Sequence, residues 1–429
     1  MVGALALTLR NRELVALLTV GVLTAIGFAS VYIALKSQIS TGSLGYAAFF
    51  FALYLVAHVV ARRTVPLADP YLLPMTALLT AIGLTEIYRL GPSSALRQGV
   101  WVVIGVGAFA ATLLGLRRDH RALERYKYIF GVAAIVLLFL PRLPVIGEEI
   151  NGARLWVHFG SLQFQPGELG KIALIVFLAA YLREKREVLA QGRLKDWGPL
   201  VIIWGGAMLV LFVTNDLGSA LLYYGIFLAL LYIATARLAF VATALGLFLV
   251  GAVGVTRVTP HVKERIDIWI DPYKHAQSTG YQILQSLYSI AHGGWMGTGI
   301  GRGIVTTASG AQIVPDQNTD FIYSAIAQEM GLVGAAALLL LYLAFVMRGF
   351  QISLAASDGF SKLLAAGLSF GFALQTFVIV GGILRVIPLT GITLPFVSYG
   401  GSSIVSNFFL LAGLMLISNR ANRDQAVAA

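Results

Sequence analysis

The segment Ile313-Val314-Pro315-Asp316-Gln317-Asn318-Thr319-Asp320-Phe321-Ile322 closes the longest polar stretch of an otherwise apolar sequence. Beyond Phe321 the chain runs through alanine, leucine, isoleucine and valine for long enough to cross a bilayer. The segment therefore marks the place where an aqueous loop meets a membrane helix. It delivers Asp320 to the first turn of that helix, where a carboxylate is costly to bury and well placed for chemistry. Asn318, Thr319 and Asp320 are all good helix N-caps. Capping is the bland account of the aspartate, although three candidates stand where one suffices.

Working outward, apolar runs of about 17–25 residues fall near 14–35, 43–61, 72–90, 98–116, 126–141, 166–182, 198–213, 216–234, 238–257, 321–347, 363–385 and 400–418, about twelve spans. Of the 429 residues, 58% are hydrophobic and 12% charged, and the mean hydropathy is +0.81. That composition fits an all-α polytopic membrane protein and excludes a soluble domain. The net charge of +11 does not point to nucleic acid, because the basic residues sit in short loops between apolar runs. The absence of cysteine excludes disulfides, thiolate metal sites and cysteine nucleophiles. No cleavable signal peptide is evident, since Arg10 and Arg12 lead straight into an apolar run.

Arg10, Arg12, Arg62, Arg63, Arg117, Arg118, Arg121, Arg183, Lys185, Arg186, Arg237, Arg348, Arg420 and Arg423 all fall on one face of this topology. By the positive-inside rule that face is cytoplasmic, both termini are cytoplasmic, and the long loops 142–165 and 258–320 face outward with Asp320. Within the second loop, the spacing from Tyr281 to Ala291 predicts an amphipathic helix along the interface. Gly293, Gly294, Gly297, Gly299, Gly301 and Gly303 follow it. No strand precedes them, so irregular backbone over a cavity mouth is expected rather than a nucleotide loop.

Ionisable residues at the ends of apolar runs ask for a partner or a role, since each costs about 2.5–3.5 kcal/mol at mid-helix. In Gln165-Pro166-Gly167-Glu168-Leu169-Gly170-Lys171 the proline opens a helix, and Glu168 and Lys171 share a face three residues apart. They form either a structural ion pair or a cation facing a diphosphate. Asp216, in Thr214-Asn215-Asp216-Leu217-Gly218, reads first as a helix cap that also lines a cavity. Arg154 and Trp156, in Asn151-Gly152-Ala153-Arg154-Leu155-Trp156, present a cation and a ring to one side of an extended segment. No His/Asp/Glu set has metal-ligand spacing.

Together these stretches, with Gly280-Tyr281-Gln282, Gln285-Ser286, Thr319-Asp320-Phe321, Pro388-Leu389-Thr390-Gly391 and Leu394-Pro395-Phe396-Val397-Ser398-Tyr399-Gly400-Gly401-Ser402-Ser403, resemble the SEDS family (RodA, FtsW and SpoVE proteins). These are membrane glycosyltransferases that polymerise peptidoglycan. The resemblance implies a ten-helix core over residues 72–418, with residues 1–71 as an N-terminal extension of about two spans and 419–429 as a cytoplasmic tail. It implies that Asp320 is the catalytic residue, and that Arg154, Trp156, Glu168, Lys171, Asp216, Gln282 and Ser398 bind substrate. Asn318 stands where many relatives have histidine, and Thr390 where many FtsW proteins have lysine, which favours a RodA-like member.

The activity implied is glycan transfer between lipid II-type undecaprenyl-diphosphate substrates at the outer face of the bacterial cytoplasmic membrane. The substrates are lipid II and the nascent glycan strand. The expected partner is a class B penicillin-binding protein, packed on the spans near 321–347 and 363–385 through Gly331, Gly334, Ala335, Gly367 and Gly371. A divalent cation, Mg or Mn, is the one cofactor candidate, and no motif encodes it. A lipid II flippase, or a scaffold of the elongation or division complex, are the alternatives from other classes.

Overall fold

The computed structural model describes residues 2–36, 41–144, 146–150, 153–159, 162–190, 197–214, 216–307 and 312–428. Helices α1 (Val2–Lys36) and α2 (Thr41–Thr64) precede α3 (Leu72–Leu90), α4 (Pro92–Leu116), the single turn α5 (Ala122–Arg125) and α6 (Lys127–Phe139). Strands β1 (Gly147–Ile150), β2 (Ala153–Phe159) and β3 (Leu162–Phe164) form an antiparallel sheet in that order. Then come α7 (Pro166–Ala190), α8 (Gly198–Val213), α9 (Leu217–Thr235), α10 (Leu238–Val258), α11 (Pro260–Ile270), α12 (Tyr281–Gly293), α13 (Ile322–Ala355), α14 (Gly359–Ile383) and α15 (Gly401–Ala428).

A helix stands over each predicted apolar run. Among the described residues, seven helices are long and apolar enough to cross a membrane, and α8 and α10 are shorter apolar helices. The chain is a multi-pass membrane protein. Burial separates centre from rim: 89% of the apolar window of α15 and 78% of that of α14 lie inside the bundle, against 28% for α1. The middle is a chain of aromatic rings. Phe345 meets Phe372 at 4.5 Å between centroids, Phe372 meets Phe396 at 6.1 Å, and Phe396 meets Phe408 edge-on at 5.5 Å. Such pairs contribute about 0.5–1.5 kcal/mol each beyond their buried area.

Polar groups that hydropathy does not reveal hold the extension together, and one of them reaches the core. Glu13 takes Arg10 Nη1 at 2.5 Å and His58 Nδ1 at 2.6 Å, and Arg10 also donates to the Ala68 carbonyl. All three side chains are buried. Higher up, Tyr54 and Thr80 share a hydroxyl bond of 2.8 Å. An apolar cavity of about 530 Å³ lies between α1, α2 and α4, lined by Phe28, Tyr46, Phe50, Leu53 and Val100 among others.

Three expectations change and one gains detail. The loop 142–165 contains the three-stranded sheet, and its Asn151-Gly152 turn lies outside the described residues. Helix α13 starts at Ile322, so Asp320 lies two residues before it; its N-cap is Phe321, with no side-chain cap. The predicted amphipathic helix is α12, and the glycine stretch after it is irregular backbone with a definite seat. It inserts into a break in α13 at Gly331, where φ is 67° and ψ −172°. A side chain at Gly331 would meet Gly297 N at 2.3 Å. Lastly, the small residues expected to face a partner are taken up by the chain itself. Gly367 lies against Ile175 and Leu230, Gly371 against Ile226, and Gly331, Gly334 and Ala335 are buried. The outward face of α13 is bulky instead, with Leu332, Leu340, Leu343 and Met347 each more than half exposed.

Replacing Glu13 by alanine would leave the Arg10 charge buried without its partner, a change that costs about 3–5 kcal/mol. Glu13→Ala is expected to lower the thermal unfolding midpoint of the detergent-solubilised protein. Arg62→Ala, at a surface contact of 3.4 Å with Asn11, should leave it within error.

Candidate active site

The segment between α14 and α15 cannot be helical. Pro388 and Pro395 interrupt it, and Gly391 and Phe396 have positive φ of 72° and 63°. Its freed backbone groups are taken by side chains from distant helices. Ser398 Oγ accepts from Leu394 N–H at 2.9 Å and donates to the Thr319 carbonyl at 2.6 Å. Tyr399 N–H donates to the Asn318 carbonyl at 2.8 Å. Gln98 of α4 donates to the Ser398 carbonyl at 3.1 Å and accepts from Gly400 N–H at 3.2 Å. Gln375 of α14 donates to the Thr393 carbonyl at 2.9 Å, and Tyr342 of α13 to that of Pro395 at 2.6 Å. This irregular segment is the floor of the site.

Asp320 rests on that floor in a turn whose Thr319 hydroxyl donates to the Asp316 carbonyl at 2.9 Å. A Cβ built on Gly391 would stand 3.4 Å from Asp320 Oδ2 and 3.9 Å from Arg265 Nη2, so carboxylate and guanidinium converge on one point. Arg265 comes from α11, and its Nη1 donates to the Leu389 carbonyl at 3.2 Å. Burial pushes the Asp320 carboxyl up to about 7, with the Asp316 charge adding to the rise and the Arg265 cation opposing it. A carboxyl that titrates near neutrality suits a general base.

The predicted neighbours come together in part. Lys171 Nζ donates to Glu168 Oε2 at 2.7 Å and to Gln375 Oε1 at 2.6 Å, so the expected pair exists and is tied to the floor through Gln375. Asp216 caps α9 by accepting from Ser219 N–H at 2.9 Å, and it lies in the field of the same Arg265 that faces Asp320. Asn215 lies outside the described residues. Gln282 Nε2 donates to the Pro315 carbonyl at 2.7 Å, which fastens α12 to the loop ahead of Asp320. Ser398 holds the Asp320 turn itself. Arg154 and Trp156 make their contacts within the sheet: Arg154 pairs with Glu149 at 3.0 Å, and Trp156 stands opposite Glu148.

Sequence reasoning missed Arg265, Gln98 and Gln375. Arg265 is one basic residue in a long polar loop, and nothing in its spacing announces a partner 55 positions on (residue 320). Buried amides at mid-helix, as Gln98 and Gln375 are, are a signal that was available. No three His, Asp or Glu side chains converge among the described residues. Asp320 and Asp216 both lie in the field of the Arg265 guanidinium.

The family model for FtsW, RodA and SpoVE, described as a cell cycle protein, matches residues 71–423. The chain belongs to the FtsW/RodA/SpoVE family. The Mycobacterium tuberculosis protein named peptidoglycan glycosyltransferase RodA is 40% identical, over 97% of this chain and 92% of that one. Stage V sporulation protein E of Bacillus subtilis is 31% identical, over 84% and 99%. Among solved structures, a chain from "Structural coordination of polymerization and crosslinking by a peptidoglycan synthase complex" matches with a TM-score of 0.67 and 30% identity, covering 83% of this chain and 98% of that one. The rod shape determining protein RodA of Thermus thermophilus matches at 0.60 and 27%, over 82% and 97%. The family model begins at residue 71, after α2, whereas the Mycobacterium tuberculosis match takes in the preceding helices as well.

The electrostatics of this FtsW/RodA/SpoVE site can be checked directly. Isotope-edited infrared spectroscopy of the Asp320 carboxyl is expected to give a midpoint of about 7. Arg265→Gln removes the cation that favours the carboxylate and should move the midpoint up. Asp316→Asn removes a like charge and should move it down.

Proposed function

We propose that this protein is a peptidoglycan glycosyltransferase of RodA type, acting on lipid II-type undecaprenyl-diphosphate substrates at the outer face of the bacterial cytoplasmic membrane. The observation that carries the reading is the Asp320 carboxyl. Its turn is held at Thr319 by Ser398 at a loop–helix junction, and burial pushes the carboxyl up to about 7 against the opposing Arg265 cation. The relative named peptidoglycan glycosyltransferase RodA supports the reaction class, and the excess of basic residues on the opposite face supports the outward placement of Asp320 and cytoplasmic termini.

In this mechanism Asp320 takes the proton from the 4-hydroxyl of the acceptor sugar as that oxygen attacks the anomeric carbon of the donor. The bond from that carbon to the diphosphate breaks, and undecaprenyl diphosphate leaves with the electron pair. In-line displacement converts an α-linked donor into a β-linked glycan. Arg265 is the cation nearest the base, and it offsets charge that develops on the leaving diphosphate. Lys171 acts from the far side of the floor, held by Glu168 and Gln375. Arg154, paired with Glu149 on an exposed sheet, serves substrate approach rather than the reacting atoms. No step runs through a metal.

The synthase complex that matches this fold supports a partner synthase. The class B penicillin-binding protein is the proposed partner, and its helix would meet the bulky face of α13 at Leu332, Leu340, Leu343 and Met347.

With fluorescent lipid-linked disaccharide-pentapeptide in vesicles, Asp320→Asn is expected to abolish glycan polymerisation while the unfolding midpoint stays unchanged. Full activity in that variant would sink the assignment. Lys171→Met, which strands the Glu168 carboxylate, should lower activity and stability together, because a broken buried pair costs about 3–5 kcal/mol.

A further inference from the structure

Helix α13 is two helices in line. The first, residues 322–330, begins beside Asp320 and ends at Gly331, where the backbone leaves the helical region. A continuous helix would pair Leu332 N–H with the Gln328 carbonyl and Val333 N–H with that of Glu329. Here the glycine loop takes all four groups. Leu332 N–H donates to the Gly294 carbonyl at 2.9 Å and Val333 N–H to that of Trp295 at 3.2 Å. The Gln328 and Glu329 carbonyls accept from Thr298 and Gly299 N–H, each at 3.0 Å. The loop has entered the helical ladder as a strand would.

The side chain of Glu329 completes the seat. Its Oε2 accepts from Gly301 N–H at 2.5 Å and its Oε1 from Gly303 N–H at 3.0 Å. Arg89 of α3 stands 3.3 Å from Oε1 and donates to the Gly303 carbonyl at 2.7 Å. Glu329 is 2% exposed, and no substrate group reaches it in the reaction as drawn. From the other side α1 backs the loop: a Cβ on Gly301 would meet Ala34 Cβ at 2.8 Å and Val31 Cα at 3.0 Å. Two N–H donors on two carboxylate oxygens also explain why glutamate stands here. Glutamine would turn an NH2 group toward one of them.

We propose that Glu329, set by Arg89, is a positioning residue for Asp320: it seats the glycine loop in the break of α13, and the seated loop fixes the short helix 322–330 that carries the Asp320 turn. The role rests on Asp320 being the base proposed above. The opposite end of that helix is held by Ser398 at Thr319, so the turn is clamped from both sides. Displacement of a reacting group by about 1 Å can cost up to about 100-fold in rate, so loss of one clamp falls on turnover.

The test uses the full chain in lipid nanodiscs with fluorescent lipid-linked disaccharide-pentapeptide, and reads kcat, KM, hydrogen exchange and thermal midpoint. Glu329→Gln is expected to lower kcat about tenfold or more with KM within about twofold. Exchange should rise over 297–303 and 320–330, and the midpoint should fall because a buried pair is broken, with kcat lost beyond the share of protein that unfolds. Ala34→Phe, which pushes Gly301 from the extension side and touches none of the polar network, should give the same split. Arg89→Lys, which keeps the cation, should restore most of the turnover that Arg89→Met loses. If Glu329→Gln fails to fold, Ala34→Phe decides alone. Wild-type kcat in both variants, or activity falling only in proportion to folded protein, overturns the positioning role. Asp320→Asn run in parallel separates the two ideas: an active Asp320→Asn removes the base assignment whatever Glu329 does, and a dead one leaves the Glu329 result to stand by itself.

Discussion

The hydroxyl of Ser398 is the point on which the site depends. It accepts from Leu394 N–H and donates to the Thr319 carbonyl, so it joins a segment that cannot be helical to a turn that is not yet helical. Both halves of its bonding capacity are used within the protein, and a buried hydroxyl so satisfied has one orientation. From it a connected series of bonds runs back through the floor. Thr393 accepts from Gln375, Gln375 accepts from Lys171, and Lys171 pairs with Glu168. Helices α7 and α14 thereby help to fix the position of one carboxylate without touching it.

Local rules could see the pieces of this arrangement but not their assembly. Glu168 and Lys171 lie three apart on a helix opened by Pro166, and the pair follows from helical geometry alone. Asp216 behaves as the cap its sequence context suggests. The apolar runs gave the helices because an apolar stretch of that length has few other stable forms in lipid. Arg265 meeting Asp320 is a different kind of fact. It depends on how α11 folds back over the segment between α14 and α15, which no periodicity records. The break at Gly331 was hidden for a related reason: glycine is common in membrane helices, and the groups that mend this break lie 30 to 38 residues upstream (298 against 328, 294 against 332).

Capping, the bland account of Asp320, does not survive the geometry. The helix begins at Ile322 behind Phe321, without a side-chain cap. The aspartate is therefore free of the duty that would have explained it, while Asp216 performs that duty for α9. Two aspartates in similar sequence settings are thus divided by their surroundings, and a single guanidinium lies in the field of both.

The buried group of Arg10, Glu13 and His58 bears on biogenesis. Arg10 and Glu13 lie three apart on α1 and are paired before any other helix is present. Pairing with Glu13 cancels the Arg10 charge within the first segment, which still carries the exposed Arg12. His58 arrives only with α2, and the Ala68 carbonyl only with the turn into the core. The order of synthesis is also the order in which this polar cluster is completed, and its last bond closes α1 onto the segment that follows α2.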